Sequence, residues 1–257
     1  TAVLLLVARP AAAQAPATDD PLLAQQSALS ALTLPDAWAT STAEGVRLAV
    51  LDSGVQADHP DLAAHLLDGG ATEDLWGTGT HAAGVAAAVT DHGEGIAGAA
   101  PDADILALAV LDADGGLEAT ALATGIAAAT DAGSNVIALT LGGTAENLSV
   151  IGDDTVRDAV EAAVDTGVVV VAGTVGGDTL PDDLPVVAVG TGEDGPIDPG
   201  IVTVPADGVL GTAPLDPSAV WPDATEGYEA LDGIGPATAL VAGTAALLAA
   251  QGLTPEE

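Results

Sequence analysis

Short β-branched runs separated by alanine-rich helical stretches recur from residue 46 to residue 250, and this alternation constrains the chain more than any other feature. Runs of this kind read as strands buried on both faces. They fall at Val46 to Leu51, Ile105 to Leu111, Asn135 to Leu141, Val168 to Ala172 and Val186 to Gly190, with a weaker one at Ile201 to Val204. The pattern predicts helices at Gly79 to Val89, Leu117 to Asp131, Asp153 to Asp165 and Pro236 to Ala250. Strand–helix–strand steps imply right-handed crossovers, so the expected class is α/β, with a mostly parallel sheet covered by helices on both faces. Functional side chains in such sheets sit at strand carboxyl ends. The stretch from Asp178 to Asp232 is rich in Gly, Pro and Asp and reads mainly as surface loops.

The core must be built from small aliphatic side chains, because the 257 residues include no Phe, Met or Cys. That length suits one domain with a large core. Absence of cysteine excludes disulfides and thiolate metal sites. The 38 acidic residues outweigh three basic ones, giving a net charge of −35. Such a balance argues against nucleic-acid partners, which need clustered Lys or Arg, and against anionic membrane surfaces. Lys is absent and Asp is spread along the whole chain, which reads as adaptation to high salt, where counterions screen self-repulsion. An ordinary acidic exported protein is the plainer alternative.

The opening TAVLLLVARPAAAQA has an apolar run from Val3 to Val7 and small residues offering cleavage near Ala13 or Ala15. Residues 1–15 therefore read as the remnant of a secretory signal, with a buried strand or helix as the alternative. The domain is expected over residues 20–257. Thr254 before Pro255 reads as the start of a further helix, so the domain is expected to be truncated at its C-terminus. An extracellular monomer is the expected product.

Four segments carry the chemistry. LAVLDSGVQADHPDL, residues 48–62, runs a strand into Asp52, and Gly54 lets the chain turn. Alone, this reads most simply as a turn-capping Asp. GTGTHAAGVAAA follows at 77–88, NVIALTLGG at 135–143 and GIGPATALVAGTAALLAA at 233–250. In this order they resemble the subtilisin-like serine proteases, the subtilases. DPLLAQQSALSAL, residues 20–32, is similar to that family's entry into the domain, and TGVVVVAGTVGG, 166–177, to the strand and loop carrying its oxyanion-hole Asn. The resemblance implies a three-layer subtilisin-like fold and peptide-bond hydrolysis.

Carried over residue by residue, the resemblance makes Asp52 the catalytic acid. The position of the catalytic His is Thr78, that of the nucleophilic Ser is Gly235, and that of the oxyanion Asn is Thr174. Loss of the Ser or His from such a triad lowers turnover by roughly 10⁶-fold. A Thr hydroxyl has no lone pair basic enough to replace imidazole near neutral pH. His81 matches the family's second, noncatalytic His; it lies three positions past Thr78, about 4.5 Å further along the helix, and is expected to miss the cleft. His59 follows Asp52 in a turn outside the family's triad, and His65 and His92 read as solvent-exposed loop residues. Ser53, Ser218 and Thr238 occupy noncatalytic positions.

Thr140, Leu141, Gly142 and Gly143 match the segment that pairs with substrate as an extended strand, so an extended peptide or protein segment is the expected partner. The alternative is that the sheet alone needs this strand. The resemblance also implies calcium as a cofactor: Asp61 matches a family ligand, and the loop at 89–98 with Asp91 and Glu94 matches a calcium loop. Neighbouring carboxylates also arise by chance in so acidic a chain. The expected function is a secreted, noncatalytic subtilase-like pseudoprotease. An active serine endopeptidase with unrecognised catalytic residues is the alternative. Decay without function is disfavoured by the intact apolar patterning of strands such as Val168 to Val171.

Overall fold

The computed structural model describes residues 18–174, 180–181, 183–191 and 200–253. The signal reading on residues 1–15 and the helix start at Thr254 lie outside the described residues. Strands β1 (Arg47–Asp52), β2 (Asp104–Ala109), β3 (Val136–Leu139), β4 (Val169–Gly173), β5 (Val187–Gly190) and β6 (Ile201–Thr203) form one sheet, ordered β2-β1-β3-β4-β5-β6. Every pairing in it is parallel. Strand order reverses at β1, with β2 on one side and β3 on the other. The crevice outside the carboxyl ends of β1 and β3 is therefore a topological switch point.

The helices are α1 (Ser27–Ala31), α2 (Leu34–Ala37), α3 (Thr78–Ala87), α4 (Ala119–Asp131), α5 (Ala145–Ser149), α6 (Asp154–Asp165) and α7 (Ile234–Ala249). α3 packs against α7 on one face of the sheet, and α4 against α6 on the other. α3 and α7 are apolar all round and almost wholly buried, as helices in the middle of a fold must be. Small residues let them touch: a Cβ on Gly243 of α7 would meet the Ala86 carbonyl oxygen at 2.6 Å. α6 is the surface contrast. Asp153 caps it by accepting from Thr155 N at 2.8 Å, and only Val156, Val160 and Ala163 turn inward.

The segment expected to be loops contains an antiparallel hairpin, β7 (Val209–Thr212) with β8 (Tyr228–Leu231). Each strand is four residues long, and Gly211 and Glu229 interrupt any apolar alternation. The second correction falls after β3. Thr140 to Gly143 do not continue as an extended strand. Leu141, Gly142 and Gly143 have φ of 52°, 67° and 67°, which turns the chain back. Two adjacent glycines make that turn cheap, and Leu141 bears the strain of a left-handed backbone.

Candidate active site

Asp52 ends β1 at the switch point and is 1% exposed. Burial of a carboxylate demands hydrogen bonds, and Asp52 receives a full set. Oδ1 accepts from Ser53 N at 2.8 Å, Ser53 Oγ at 3.0 Å and Thr78 Oγ1 at 2.5 Å. Oδ2 accepts from Thr140 Oγ1 at 2.7 Å and Gly142 N at 2.8 Å. No histidine is among these partners. Thr78 opens α3, and its hydroxyl donates to the acid.

The start of α3 is held from below by Asp74, which the sequence reading passed over. Its Oδ1 accepts from Gly77 N at 2.7 Å, and its Oδ2 from Thr80 N and Thr80 Oγ1, both at 2.7 Å. Burial pushes the Asp74 carboxyl above the usual range, while bonds from Thr80, Gly77 and Ser53 oppose that rise. The signal was an Asp four residues ahead of the helix, a spacing that ordinary capping patterns do not cover.

Asp52, Thr78 and Gly235 converge on one cleft of about 300 Å³, walled by apolar groups including Trp76, Val220, Leu231 and Ile234. Gly235 stands in the first turn of α7 facing Gly143. A Cβ there would meet Gly143 Cα at 3.6 Å and Thr140 O at 3.9 Å, ordinary contacts. Position 235 thus has space for a Cβ. Thr238, one turn on, donates its hydroxyl to the Ile234 carbonyl at 2.8 Å. Ser218 Oγ accepts from Trp221 N at 3.2 Å. Thr174 was expected beside these groups. It is buried at the end of β4, its N–H donates to Val189 O at 2.7 Å, and it is not among the residues lining the cleft.

His81 does reach the cleft wall, contrary to expectation, yet its chemistry points elsewhere. Its Nε2 lies 3.1 Å from Val209 O on β7, and its ring stacks on Trp221 at 6.1 Å between centroids. Burial pulls the imidazole down to about 4, against backbone bonds from Val209 and Glu229. It is therefore a neutral packing group near pH 7. His59 is equally structural. Asp61 N donates to its Nδ1 at 3.2 Å, which leaves Nε2 to donate to Gly227 O at 2.8 Å.

The two carboxylates assigned to calcium fare differently. Asp61 is fully buried, and its oxygens accept from Tyr228, His92 and Ile96. Asp91 is exposed with φ of 61°, and its N–H faces Asp20 Oδ2 at 3.5 Å. Among the described residues no three acidic or histidine side chains are arranged to hold a metal ion. Hydrogen-bond donors satisfy Asp61, and Asp91 stands exposed on the loop. His92 is an exposed loop residue, as read, and the inner side of its ring lies against buried Asp61 and Asp20.

A buried acid at the switch point of a parallel sheet, with two buried helices opening onto the same cleft, is the arrangement of an α/β peptidase domain. The family model for Peptidase S8, the subtilase family, matches residues 43–188, and the chain belongs to that family. Thermitase of Thermoactinomyces vulgaris is 36% identical over 238 residues, covering 85% of this chain and 80% of thermitase. An intracellular serine protease of Paenibacillus polymyxa is 38% identical over 120 residues, 42% of this chain and 36% of its own length. Among solved structures, a protease from Pseudoalteromonas arctica superposes with a TM-score of 0.76 at 28% identity, covering 94% of this chain and 90% of its own. Fervidolysin of Fervidobacterium pennivorans, a keratinolytic enzyme related to subtilisin, shares the fold with a TM-score of 0.76 at 23% identity, over 95% of this chain and 42% of its own.

Proposed function

We propose that this chain is a noncatalytic subtilase, an exported pseudoprotease adapted to high salt, whose cleft receives a segment of another polypeptide. The observation that carries the reading is the state of Asp52. Its carboxylate is saturated by hydroxyl and amide donors, the base position is the Thr78 hydroxyl, and the nucleophile position is Gly235. An acid without imidazole and hydroxyl can orient nothing and activate nothing.

Support for binding is the apolar wall around Trp76, Val220, Leu231 and Ile234, roomy enough for an apolar side chain. The turn at Leu141 to Gly143 disfavours long strand pairing, so anchoring by a side chain is the mode that fits. Export rests on the apolar run at Val3 to Val7 and the small residues after it. Among the described residues no helix is long and apolar enough to cross a membrane.

A fluorophosphonate probe on the pure protein in molar salt tests the central claim. No covalent labelling and no peptide cleavage are expected. Labelling establishes the second reading, an active endopeptidase, which the 36% identity with thermitase favours. Binding is read separately, from a change in tryptophan fluorescence as peptides with apolar side chains are titrated, since Trp76 lines the cleft and Trp221 stacks on His81.

A further inference from the structure

The calcium implied by the family meets a specific obstacle at Asp61. Calcium takes six to eight oxygen ligands at about 2.3 to 2.6 Å and needs carboxylate lone pairs aimed at it. The lone pairs of Asp61 meet hydrogens instead. Oδ1 accepts from His92 Nε2 at 3.0 Å and from the Tyr228 hydroxyl at 2.8 Å, and Oδ2 accepts from Ile96 N at 2.9 Å. The opposite ring nitrogen, His92 Nδ1, faces Asp20 Oδ1 at 3.5 Å. That oxygen is buried and makes no hydrogen bond of its own. Both carboxylate side chains are 0% exposed, and the imidazole packed between them, itself 26% exposed, gives Asp61 a ring N–H donor. The loop over them is tight as well: a Cβ on Gly95 would collide with both Asp61 oxygens and with the Tyr228 hydroxyl.

We infer that the His92 imidazole, not a metal ion, joins Asp61 to Asp20, and that the native fold has no calcium requirement. The joint is mechanical as much as electrostatic. Asp20 belongs to the segment entering the domain, which is tied to the same loop by Leu22 N to Gly95 O at 3.0 Å and by Gly93 N to Asp19 Oδ1 at 2.9 Å. Tyr228 brings in β8. His92 and Asp61 together therefore join the N-terminal segment, the turn after β1, the loop after α3 and the hairpin at a single point.

The test is thermal unfolding of the full chain at fixed high ionic strength, with millimolar CaCl₂, with MgCl₂, and with EGTA. Both cations are expected to shift the wild-type melting temperature equally, through general screening of carboxylates, and EGTA not at all. A calcium-specific rise, or a fall in EGTA, overturns the inference. His92→Asp puts carboxylate oxygen where the imidazole stood and leaves three carboxylates facing one another. This variant is expected to melt lower than wild type and to recover in calcium but not in magnesium. Equal responses to both ions overturn the claim that the imidazole is what bars the metal. Should the variant fail to fold, calorimetric titration of the wild type with CaCl₂ decides alone: a stoichiometric site refutes the inference and its absence upholds it.

Discussion

Asp52 and Asp61 stand nine residues apart around the same turn, and both are buried, but their surroundings have diverged in opposite ways. Asp52 is bonded entirely by its near neighbours. Its donors are neutral hydroxyls and amides from adjoining elements, which satisfy the charge and leave no route for a proton. The Asp61 donors His92 and Tyr228 come from distant parts of the chain, so the same kind of buried carboxylate becomes a tie across the fold. The lesson is that a buried acid is tolerated wherever hydrogen-bond donors replace its solvation, whether they come from the next residue or from across the fold.

The comparison breaks most dramatically if Asp52 can still serve catalysis. Thr78→His, Gly235→Ser and Thr174→Asn together restore the family's groups on a scaffold with room at position 235. The triple variant is expected to label with a fluorophosphonate and to hydrolyse peptides at least ~10³-fold faster than wild type, whereas Gly235→Ser alone stays silent, because triad members act as a unit. A labelled single variant would show that a base is already present. Next in size, Asp52→Ala strands the donors of Ser53, Thr140 and Gly142 in the interior. A loss of about 3 kcal/mol in denaturant unfolding is expected, and Asp52→Asn should cost less. A neutral outcome for alanine would sink the structural role given to Asp52.

Acid sharpens the contrast at a third point. His81 titrates near 6.5 when unfolded and at about 4 in the fold, so between those values the unfolded chain holds the extra proton. Its contribution is complete above pH 6.5 and is lost as pH falls toward 4, on the order of 3 kcal/mol. Wild type should therefore lose more stability than His81→Gln between pH 7 and pH 4.5, measured in parallel urea titrations. Parallel curves would show that the ring is not buried neutral. Smallest is the salt response. Screening shortens from about 8 Å at physiological salt to about 3 Å at 1 M, so melting temperature is expected to climb by a few degrees as NaCl becomes molar. A flat profile removes the halophilic reading.

Much of this was legible in the residues. The β-branched runs located all six strands of the parallel sheet within a residue or two, because buried parallel strands need continuous apolar side chains. Motif order placed Asp52, Thr78 and Gly235 at one cleft. What escaped was set by partners far away in sequence. The short hairpin gains its order from packing on α3, not from its own alternation. Leu141 adopts a positive φ that its side chain does not announce. His92 meets Asp61 and Asp20 across 31 and 72 residues of chain, a pairing no local pattern encodes.

Position 235 carries a consequence for how such domains change over generations. A Cβ there meets its neighbours only at 3.6 Å and beyond, so exchanging glycine for a small side chain is expected to disturb folding little. Asp52 has no such freedom, since every oxygen is bonded into the floor of the cleft. Drift should therefore erase the attacking residue early and the acid last, and silent relatives are expected to keep the aspartate long after the serine is gone.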